Sequence, residues 1–513
     1  MKTKTFAAID VGSYELSMKI YEVSGKYGMR QVDHIRHGID MGTQTYATGF
    51  LSLERVNDLC DTLKEFSKIM TSYQVEDYVA YGTSAIRETK NMSILLDQIE
   101  QKCGIHVEVL SNSEQRFLDY KSIAFQGEKF DKYIEKGTAI LDIGGGSIQL
   151  SLFEKDALVS TQNLKLGVLR ILERMNTLKA SLRQYEDLVD ELLQAQLSTY
   201  KKLYMKDYSI DNLIIADDYF STLVNRVPDR DMRGVANSDT VEKYINMIKT
   251  IAKGEISKSL GMAEDDIPIL YISLLLIRQV MLTTGAKSIW APGVTLCDGI
   301  AYEYAEKNEN ISTNHDFERD IIACAKQISK RYQGSNKRSE TLEKLVLKIF
   351  DAIEKTHGLT KRDRLLLQIS AHLHDCGKYI SMANLSDCSY NIIKYTEIIG
   401  ISHKERMILA NVVKFNQSDF DYYEDFEDKE SLEPADHMKV AKLTAILRLA
   451  NGLDRSHKMK FKDVTVAVKE NKMEILIESN VDVTLERGLF GNRADFFEQV
   501  FNLKPVIKQK RSI

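Results

Sequence analysis

Apolar and polar residues alternate with a period of two along residues 139–153, on both sides of a run of three glycines. The stretch reads AILDIGGGSIQLSLF, so small and apolar residues lead into Asp142, and apolar residues then occupy every second position from Ile148. Alternation of this kind around a glycine cluster predicts a β-hairpin with its turn at residues 144–147.

The composition of this turn suits a phosphate group. Glycines allow the backbone to approach a ligand and to direct several N–H groups at one point, which is how a backbone binds a phosphate oxygen. Asp142 ends the first strand and could hold a hydrated Mg²⁺ beside that phosphate, because Mg²⁺ keeps several waters and takes few carboxylates. An ordinary tight hairpin without a ligand is the alternative.

A second stretch near the N-terminus repeats the pattern. Residues 6–13, FAAIDVGS, form an apolar run that ends in Asp10, Gly12 and Ser13, and alternating apolar residues follow it. Two such strand–turn–strand units predict a duplicated fold with one phosphate turn in each half. A nucleotide or a polyphosphate chain would then lie in the cleft between the halves.

Hydroxyl and basic side chains follow the next predicted strand. A helical period at residues 52–73 precedes a short strand at 78–82, and Thr83, Ser84 and Arg87 come directly after it. Hydroxyls between a strand and a helix cap backbone N–H groups, and with a nearby arginine they also form an anion site. The sequence leaves both interpretations open.

An acidic residue begins a later helix. A strand at residues 106–110 leads into a helix that starts near residues 111–116 and carries Glu114 in its first turn. A carboxylate at this position is either a general base for water or a first-turn acid that suits the helix dipole.

The remaining pattern divides the chain into an α/β half and a helical half. Strands at 212–216 and 288–290 interleave with helices, which indicates α/β structure. Beyond a polar linker at 307–316, helical periods predominate, one of them at residues 340–357, and strand-like alternation returns after residue 460. The predicted domains are residues 1–125, 126–306, 317–458 and 459–513.

Composition and charge narrow the class of protein. The 513 residues are 43% hydrophobic and 28% charged, as in soluble globular proteins, and a net charge of −5 gives no indication of nucleic-acid binding. Polar residues interrupt the longest apolar stretch, residues 267–282, so we expect no membrane span and no membrane partner. Asp10 argues against a signal peptide, and six cysteines without a CxxC pair indicate a reducing, cytoplasmic location.

Five stretches in order resemble the exopolyphosphatase / guanosine pentaphosphate phosphohydrolase family. They are FAAIDVGSYELSM, YGTSAIRETKN, the segment around residues 111–120, LDIGGGSIQLSLF and LKLGVLRILERM. The C-terminal region resembles the HD-like helical domain of the longer members. The resemblance implies a duplicated ribonuclease-H-like, actin-like α/β fold, followed by an all-α HD-like domain and a small α+β C-terminal region, often as a homodimer. It also implies Mg²⁺-dependent, processive hydrolysis of the terminal phosphate of inorganic polyphosphate, or of the 5′ γ-phosphate of guanosine pentaphosphate.

By motif match the resemblance also implies site residues. Asp10 and Asp142 would hold the metal. The substrate-binding residues would be Asp10, Gly12, Ser13, Thr83, Ser84, Arg87, Gly144, Gly145, Gly146 and Ser147.

The chain departs from the family pattern at two glutamates. The family motif Ser-Gly-x-Glu-Glu-Ala-Arg takes its second glutamate as the base for water, and this position falls on Gln115, with Glu114 before it. The glycine turn, usually continued by Ser-Thr-Glu, here leads to Gln149. An amide orients water but accepts no proton, and loss of a positioned base costs a factor of about 10² to 10⁴.

These departures leave two hypotheses. In the first, the chain is an exopolyphosphatase whose catalytic residues are Glu114, Gln115, Asp142 and Gln149, with Glu114 as the displaced base. In the second, it is a catalytically weak or inactive sensor that binds polyphosphate or guanosine tetraphosphate.

The HD-like region departs further. His374, Asp375 and Asp454 match metal ligands of active HD hydrolases, whereas the upstream histidine positions fall near Arg338 and Thr341. Because a divalent cation needs several convergent ligands, we expect this domain to be structural and substrate-guiding, with His374 a hydrogen-bonded core residue.

Overall fold

The computed structural model describes residues 3–26, 28–206, 208–226, 233–308, 311, 315–458, 460–461, 464–478 and 480–510. The chain forms two compact units, Met1–Asp316 and Phe317–Ile513. The predicted linker at 307–316 lies partly outside the described residues, and the boundaries of the four predicted domains stay predictions.

The first sheet of the N-terminal unit has the order β3-β2-β1-β4-β5. Strands β1 to β3 form an antiparallel meander, and β4 and β5 continue the sheet in parallel to β1. The strands are β1 (Lys4–Val11), β2 (Glu15–Ser24), β3 (Gly28–Gly38), β4 (Asp77–Gly82) and β5 (Glu108–Val109). The helices are α1 (Gly42–Thr48), α2 (Leu53–Ser72), α3 (Ser84–Glu88), α4 (Met92–Cys103), α5 (Asn112–Ala124) and α6 (Glu128–Ile134).

The second sheet repeats this topology. Its order is β10-β11-β9-β6-β7-β8, so β8-β7-β6-β9-β11 corresponds to the whole first sheet, with β10 added at one edge. The strands are β6 (Thr138–Ile143), β7 (Ile148–Glu154), β8 (Ala157–Leu164), β9 (Asn212–Ala216), β10 (Val235–Ala236) and β11 (Ser288–Trp290). The helices are α7 (Val168–Thr177), α8 (Tyr185–Tyr204), α9 (Asp218–Val224), α10 (Ser238–Thr250), α11 (Lys253–Leu260), α12 (Ile267–Thr284) and α13 (Leu296–Lys307). The prediction of a duplicated α/β fold is confirmed.

The core of the second half surrounds α12. This helix is apolar on nearly all sides, because α7, α8, α9 and α10 pack against it. By length and composition alone the segment Glu264–Thr284 could cross a membrane, but 67% of it is buried inside the unit. It is therefore a core helix, buried among the helices that surround it.

The C-terminal unit is mainly helical and ends in a small mixed sheet, as expected. Its helices are α14 (Phe317–Arg331), α15 (Asn336–Ala352), α16 (Glu354–His357), α17 (Lys361–Leu373), α18 (Leu385–Tyr395), α19 (His403–Phe415), α20 (Pro434–Leu453), α21 (Thr484–Gly488) and α22 (Gly491–Phe501). The strands are β12 (Val464–Lys469), β13 (Lys472–Glu478) and β14 (Lys504–Lys510), in the order β12-β13-β14.

Two predicted elements differ in length. The strand expected at 106–110 shrinks to β5, because only two of its residues pair with β4 at the sheet edge. The helix expected at 340–357 divides into α15 and α16, because Ile353 leaves the helical conformation between them.

Candidate functional site

The two predicted turns have the same backbone geometry. The N–H of Gly12 donates to the carbonyl of Glu15 (3.1 Å), and the N–H of Gly144 donates to the carbonyl of Ser147 (3.0 Å). Each turn joins two antiparallel strands at the end that carries an aspartate, so the hairpin predictions are confirmed.

Both turns line one cavity of about 170 Å³ in the N-terminal unit. Nine of the residues predicted for the site lie on its wall: Asp10, Gly12, Ser13, Thr83, Ser84, Gln115, Asp142, Gly144 and Gly145. The structure therefore brings together residues from both halves of the duplicated fold. Their individual roles stay predictions.

Glycine is required where the two halves meet. A Cβ on Gly145 would lie 2.9 Å from Leu169 and 3.2 Å from the Cβ of Ser13. A Cβ on Gly146 would lie 2.6 Å from the hydroxyl of Tyr46 and 2.9 Å from that of Ser84. Side chains at these positions would push the second turn away from the first half, so glycine permits the close approach.

Three hydroxyl groups join the first turn to the start of α3. The Ser13 hydroxyl lies 2.8 Å from that of Ser84 and 3.0 Å from that of Tyr46, and the Tyr46 and Ser84 hydroxyls are 2.6 Å apart. The N–H of Ala85 also donates to Ser13 Oγ (3.1 Å). This network fixes the hydroxyls at the cavity wall, where they can donate to an anion.

Four buried polar atoms of the cavity wall have no hydrogen-bond partner among the described residues. They belong to Asp10 (Oδ1), Gln115 (Oε1), Arg116 (Nε) and Asp142 (Oδ2). An unpartnered buried polar group costs free energy, so such atoms are rare unless water, an ion or a ligand satisfies them. Four of them around one cavity indicate a binding site for a polar or charged ligand.

The cavity is rich in carboxylates whose charge is unfavourable there. Burial, with Asp218 and Glu15 nearby, raises the pKa of Asp10 to about 8. Burial and the neighbouring Asp142 raise the pKa of Asp119 well above its usual range. Burial also raises the pKa of Asp217 to about 7. A cation would relieve these costs, because it stabilises the ionised carboxylates.

The donor set fits a hydrated Mg²⁺. Asp10 and Asp142 each offer one carboxylate oxygen without a partner, and Mg²⁺ binds through one or two carboxylates while it retains waters. No group of three or more His, Cys, Asp and Glu side chains suited to a metal ion occurs in the described part of the chain. A metal here would therefore rely on water and substrate oxygens for most of its coordination.

The Glu114 side chain lies at the start of α5. Its carboxylate accepts from the N–H of Ser111 (3.0 Å), while Ser111 Oγ accepts from the N–H of Glu114, which is a complete capping box at the start of α5. Glu114 does not line the cavity, whereas Gln115 does. This geometry favours the first-turn interpretation over the displaced general base, and the catalytic role of Glu114 stays a prediction.

Four other predicted residues lie behind the cavity wall and not on it. Arg87 donates to the carbonyl of Leu110 (2.6 Å) and so ties α3 to the start of α5. Gln149 is buried on β7, directly opposite Asp142. Gly146 and Ser147 belong to the second turn, and the carbonyl of Gly146 accepts from Arg170 Nε (2.7 Å).

Arg116 is not among the residues that the sequence predicts for the site. This residue is 4% exposed, and its guanidinium donates to Asp142 and to the carbonyl of Ser147 (3.0 Å). The sequence carries one signal for this residue, which is a departure from the family motif. The motif has alanine at the position that falls on Arg116. Asp119, one turn further along α5, also lines the cavity and was likewise missed.

In the C-terminal unit an arginine occupies the centre of the HD-like cluster. Arg338 donates to Asp375 (3.3 Å), to Asp454 (3.3 Å) and to Asn451 (2.9 Å), and all four residues are buried. His374 Nδ1 lies 2.8 Å from the carbonyl of Ala371, and burial lowers the pKa of the imidazole to about 4. A guanidinium thus balances the carboxylates that resemble metal ligands.

The fold and the site together define a class of protein. Two sheets of one topology, with a glycine turn from each on a shared cavity, form an actin-like, ribonuclease-H-type duplicated fold. The chain belongs to the Ppx/GppA phosphatase family: the family model matches residues 20–308, and that of Ppx/GppA phosphatase domain III matches residues 322–492.

Individual relatives are distant. A guanosine-5′-triphosphate,3′-diphosphate pyrophosphatase of Photobacterium profundum is 20% identical over 92% of this chain and 91% of its own length. Exopolyphosphatase 1 of Mycobacterium leprae is 26% identical over 28% of this chain and 41% of its own. The crystal structure of an exopolyphosphatase from Cytophaga hutchinsonii superposes with a TM-score of 0.52 at 19% identity, and covers 60% of this chain and all of that one. This last likeness concerns the fold alone.

Proposed function

We propose that this protein is a phosphoric anhydride hydrolase that removes the terminal phosphate of inorganic polyphosphate or the 5′ γ-phosphate of guanosine pentaphosphate. The observation that carries the proposal is the cavity between the two glycine turns, with its four unpartnered polar atoms. Membership of a phosphatase family supports hydrolysis, and the names of the relatives support the substrates.

The chain's own groups account for binding of the phosphoryl oxygens. Backbone N–H groups of the turns and the hydroxyls of Ser13 and Ser84 are fixed before the substrate arrives, so they stabilise developing negative charge without reorganisation. Asp10 and Asp142 would hold a hydrated Mg²⁺, which neutralises charge on the phosphoryl oxygens when bound.

Activation of water is the weak step of this site. Gln115 lines the cavity and can orient water, but its amide accepts no proton. Glu114 is engaged in the capping box and does not replace it. We therefore expect turnover to be slow relative to an enzyme with a carboxylate at position 115.

The test is phosphate release from long-chain polyphosphate and from guanosine pentaphosphate with Mg²⁺. Wild-type protein should release phosphate, and Asp10→Asn and Asp142→Asn should reduce release while each variant keeps its circular-dichroism spectrum. Release that survives both substitutions would place hydrolysis elsewhere. Tight binding of either substrate without product would instead identify a sensor.

A further inference from the structure

The Arg116 guanidinium lies against the second glycine turn. Nη2 donates to Ser147 O (3.0 Å) and Ser147 Oγ (3.3 Å), and Nη1 donates to Asp142. A Cβ on Gly144 would lie only 2.9 Å from Nη2. The positive charge is therefore located at the turn that the sequence predicts to bind phosphate.

This arginine retains unused hydrogen-bonding capacity on the cavity wall. Its Nε and the Oδ2 of its partner Asp142 are both buried without a partner in the described ranges, and both residues line the cavity. A purely structural buried ion pair is stable only when its remaining donors and acceptors are satisfied as well. The unsatisfied Nε–H points to a ligand that accepts hydrogen bonds.

We propose that Arg116 is the cation that binds the terminal phosphate at the 144–147 turn, and that this binding requires no Mg²⁺. The inference rests on the proposed function and deepens it. A guanidinium is charged at every accessible pH and presents several donors in a fixed plane, which suits a phosphate group. It places an unused N–H donor inside the acidic cavity, where a phosphate oxygen can accept it.

Arg116 also changes what Mg²⁺ has to do. One oxygen of Asp142 is already engaged by the guanidinium, so the charge of this carboxylate is balanced before any metal arrives. Phosphate affinity is then set by Arg116 and the turn, and Mg²⁺ contributes to turnover. The two requirements, binding and hydrolysis, become separable by experiment.

The experiment is calorimetric titration with methylenediphosphonate, a probe whose P–C–P bridge is not hydrolysed, in EDTA and in Mg²⁺. Wild-type protein should bind with similar affinity in both buffers. In EDTA, Arg116→Ala should weaken binding about tenfold or more, because it removes charge-assisted hydrogen bonds. Arg116→Lys, which keeps the charge and loses the planar fork, should lie between the two.

Arg364→Ala is the matched control. Arg364 forms an exposed ion pair with Asp351 (2.8 Å) in the C-terminal unit, and its loss should leave binding unchanged. Should Arg116→Ala fail to fold, the comparison of buffers for the wild type still tests whether binding requires Mg²⁺, and Arg116→Lys tests the assignment to this residue.

The outcomes separate the two claims. Wild-type binding that appears only with Mg²⁺ overturns the role of Arg116 and leaves the proposed function standing. Binding in EDTA that Arg116→Ala retains overturns the assignment to this residue. No binding in either buffer overturns the inference, whereas the proposed function is decided separately by phosphate release.

Discussion

At positions 114 and 115, two neighbouring side chains have different surroundings. Successive residues of a helix point about 100° apart, since 3.6 residues complete a turn. Glu114 turns back to the N-terminus of α5 and closes the capping box, whereas Gln115 turns to the cavity. The negative charge thus stabilises the helix start, and the neutral amide faces the cavity.

This arrangement predicts a stability effect without a catalytic one for Glu114→Ala. The variant should lose about 1 kcal/mol of unfolding free energy, because one half of the capping box is gone, while phosphate release stays unchanged. Urea denaturation and a phosphate assay measure the two effects. Ser111→Ala removes the other half of the same capping box and should have the same effects on stability and on phosphate release. A large loss of phosphate release in Glu114→Ala alone would instead identify Glu114 as the base.

At the scale of elements, the site depends on two hairpins that touch. The contact is possible because Gly145 and Gly146 leave room for Ser13, Tyr46 and Ser84. The turns are therefore one structural feature, although they belong to different sheets.

Gly146→Ala should disturb this contact. The new methyl group would meet the hydroxyls of Tyr46 and Ser84 and force the turns apart, so phosphate affinity should fall about tenfold or more while most of the fold remains. Calorimetric titration measures the change. Gly38→Ala, on β3 with open space around the new Cβ, is the matched control and should bind like the wild type. Equal affinity of Gly146→Ala and wild type would contradict a binding role for the contact between the turns.

A further prediction at this scale concerns Arg338, which joins α15 to the ends of α17 and α20. Arg338→Ala leaves Asp375 and Asp454 without the buried guanidinium they share, and should lower stability by about 3 kcal/mol. Denaturation followed by circular dichroism tests this. Arg364→Ala is the control: it removes an exposed ion pair and should lower stability by at most about 1 kcal/mol. An equal loss of stability in the two variants would argue against a central role for Arg338.

Local patterns of the sequence were sufficient to predict the hairpins and most of the helices, although not the residues at which the helices end. Periodicity and glycine position are local signals, so the turns at Gly12 and Gly144 could be placed before the fold was known. The position of the Arg116 guanidinium could not be predicted in this way. Its long side chain is directed by contacts with Asp142 and Ser147, which are distant in the sequence. The roles of Glu114 and Gln115 depended likewise on where α5 begins.

At the scale of the whole molecule, buried carboxylates make stability depend on pH. Burial raises the pKa of Asp217 from an ordinary value near 4 to about 7. Between these values the folded protein keeps a proton that the unfolded chain has released. The contribution of Asp217 to the unfolding free energy therefore falls as pH rises from about 4 to about 7. Asp10, Asp119 and Asp218 contribute in the same direction.

Asp217→Asn should flatten this dependence. Asparagine keeps an oxygen for the N–H of Phe220, and its amide nitrogen can donate to the Ser273 hydroxyl, which now donates to the second carboxylate oxygen. It is an equally good helix cap, but it does not ionise. Urea midpoints at pH 5 and pH 7, in EDTA, should differ less for the variant than for the wild type. An unchanged difference would show that Asp217 is ionised throughout this range.

The central claim is that the cavity between the turns hydrolyses a terminal phosphate and lacks only a well-placed base. The most direct measurement is phosphate release from long-chain polyphosphate, with Mg²⁺, by the wild type, Gln115→Glu and Gln115→Ala. A carboxylate that replaces the cavity-facing amide should raise the rate by about 10² to 10⁴, and alanine should not. A gain of rate cannot result from misfolding. No release by any of the three proteins would contradict the account.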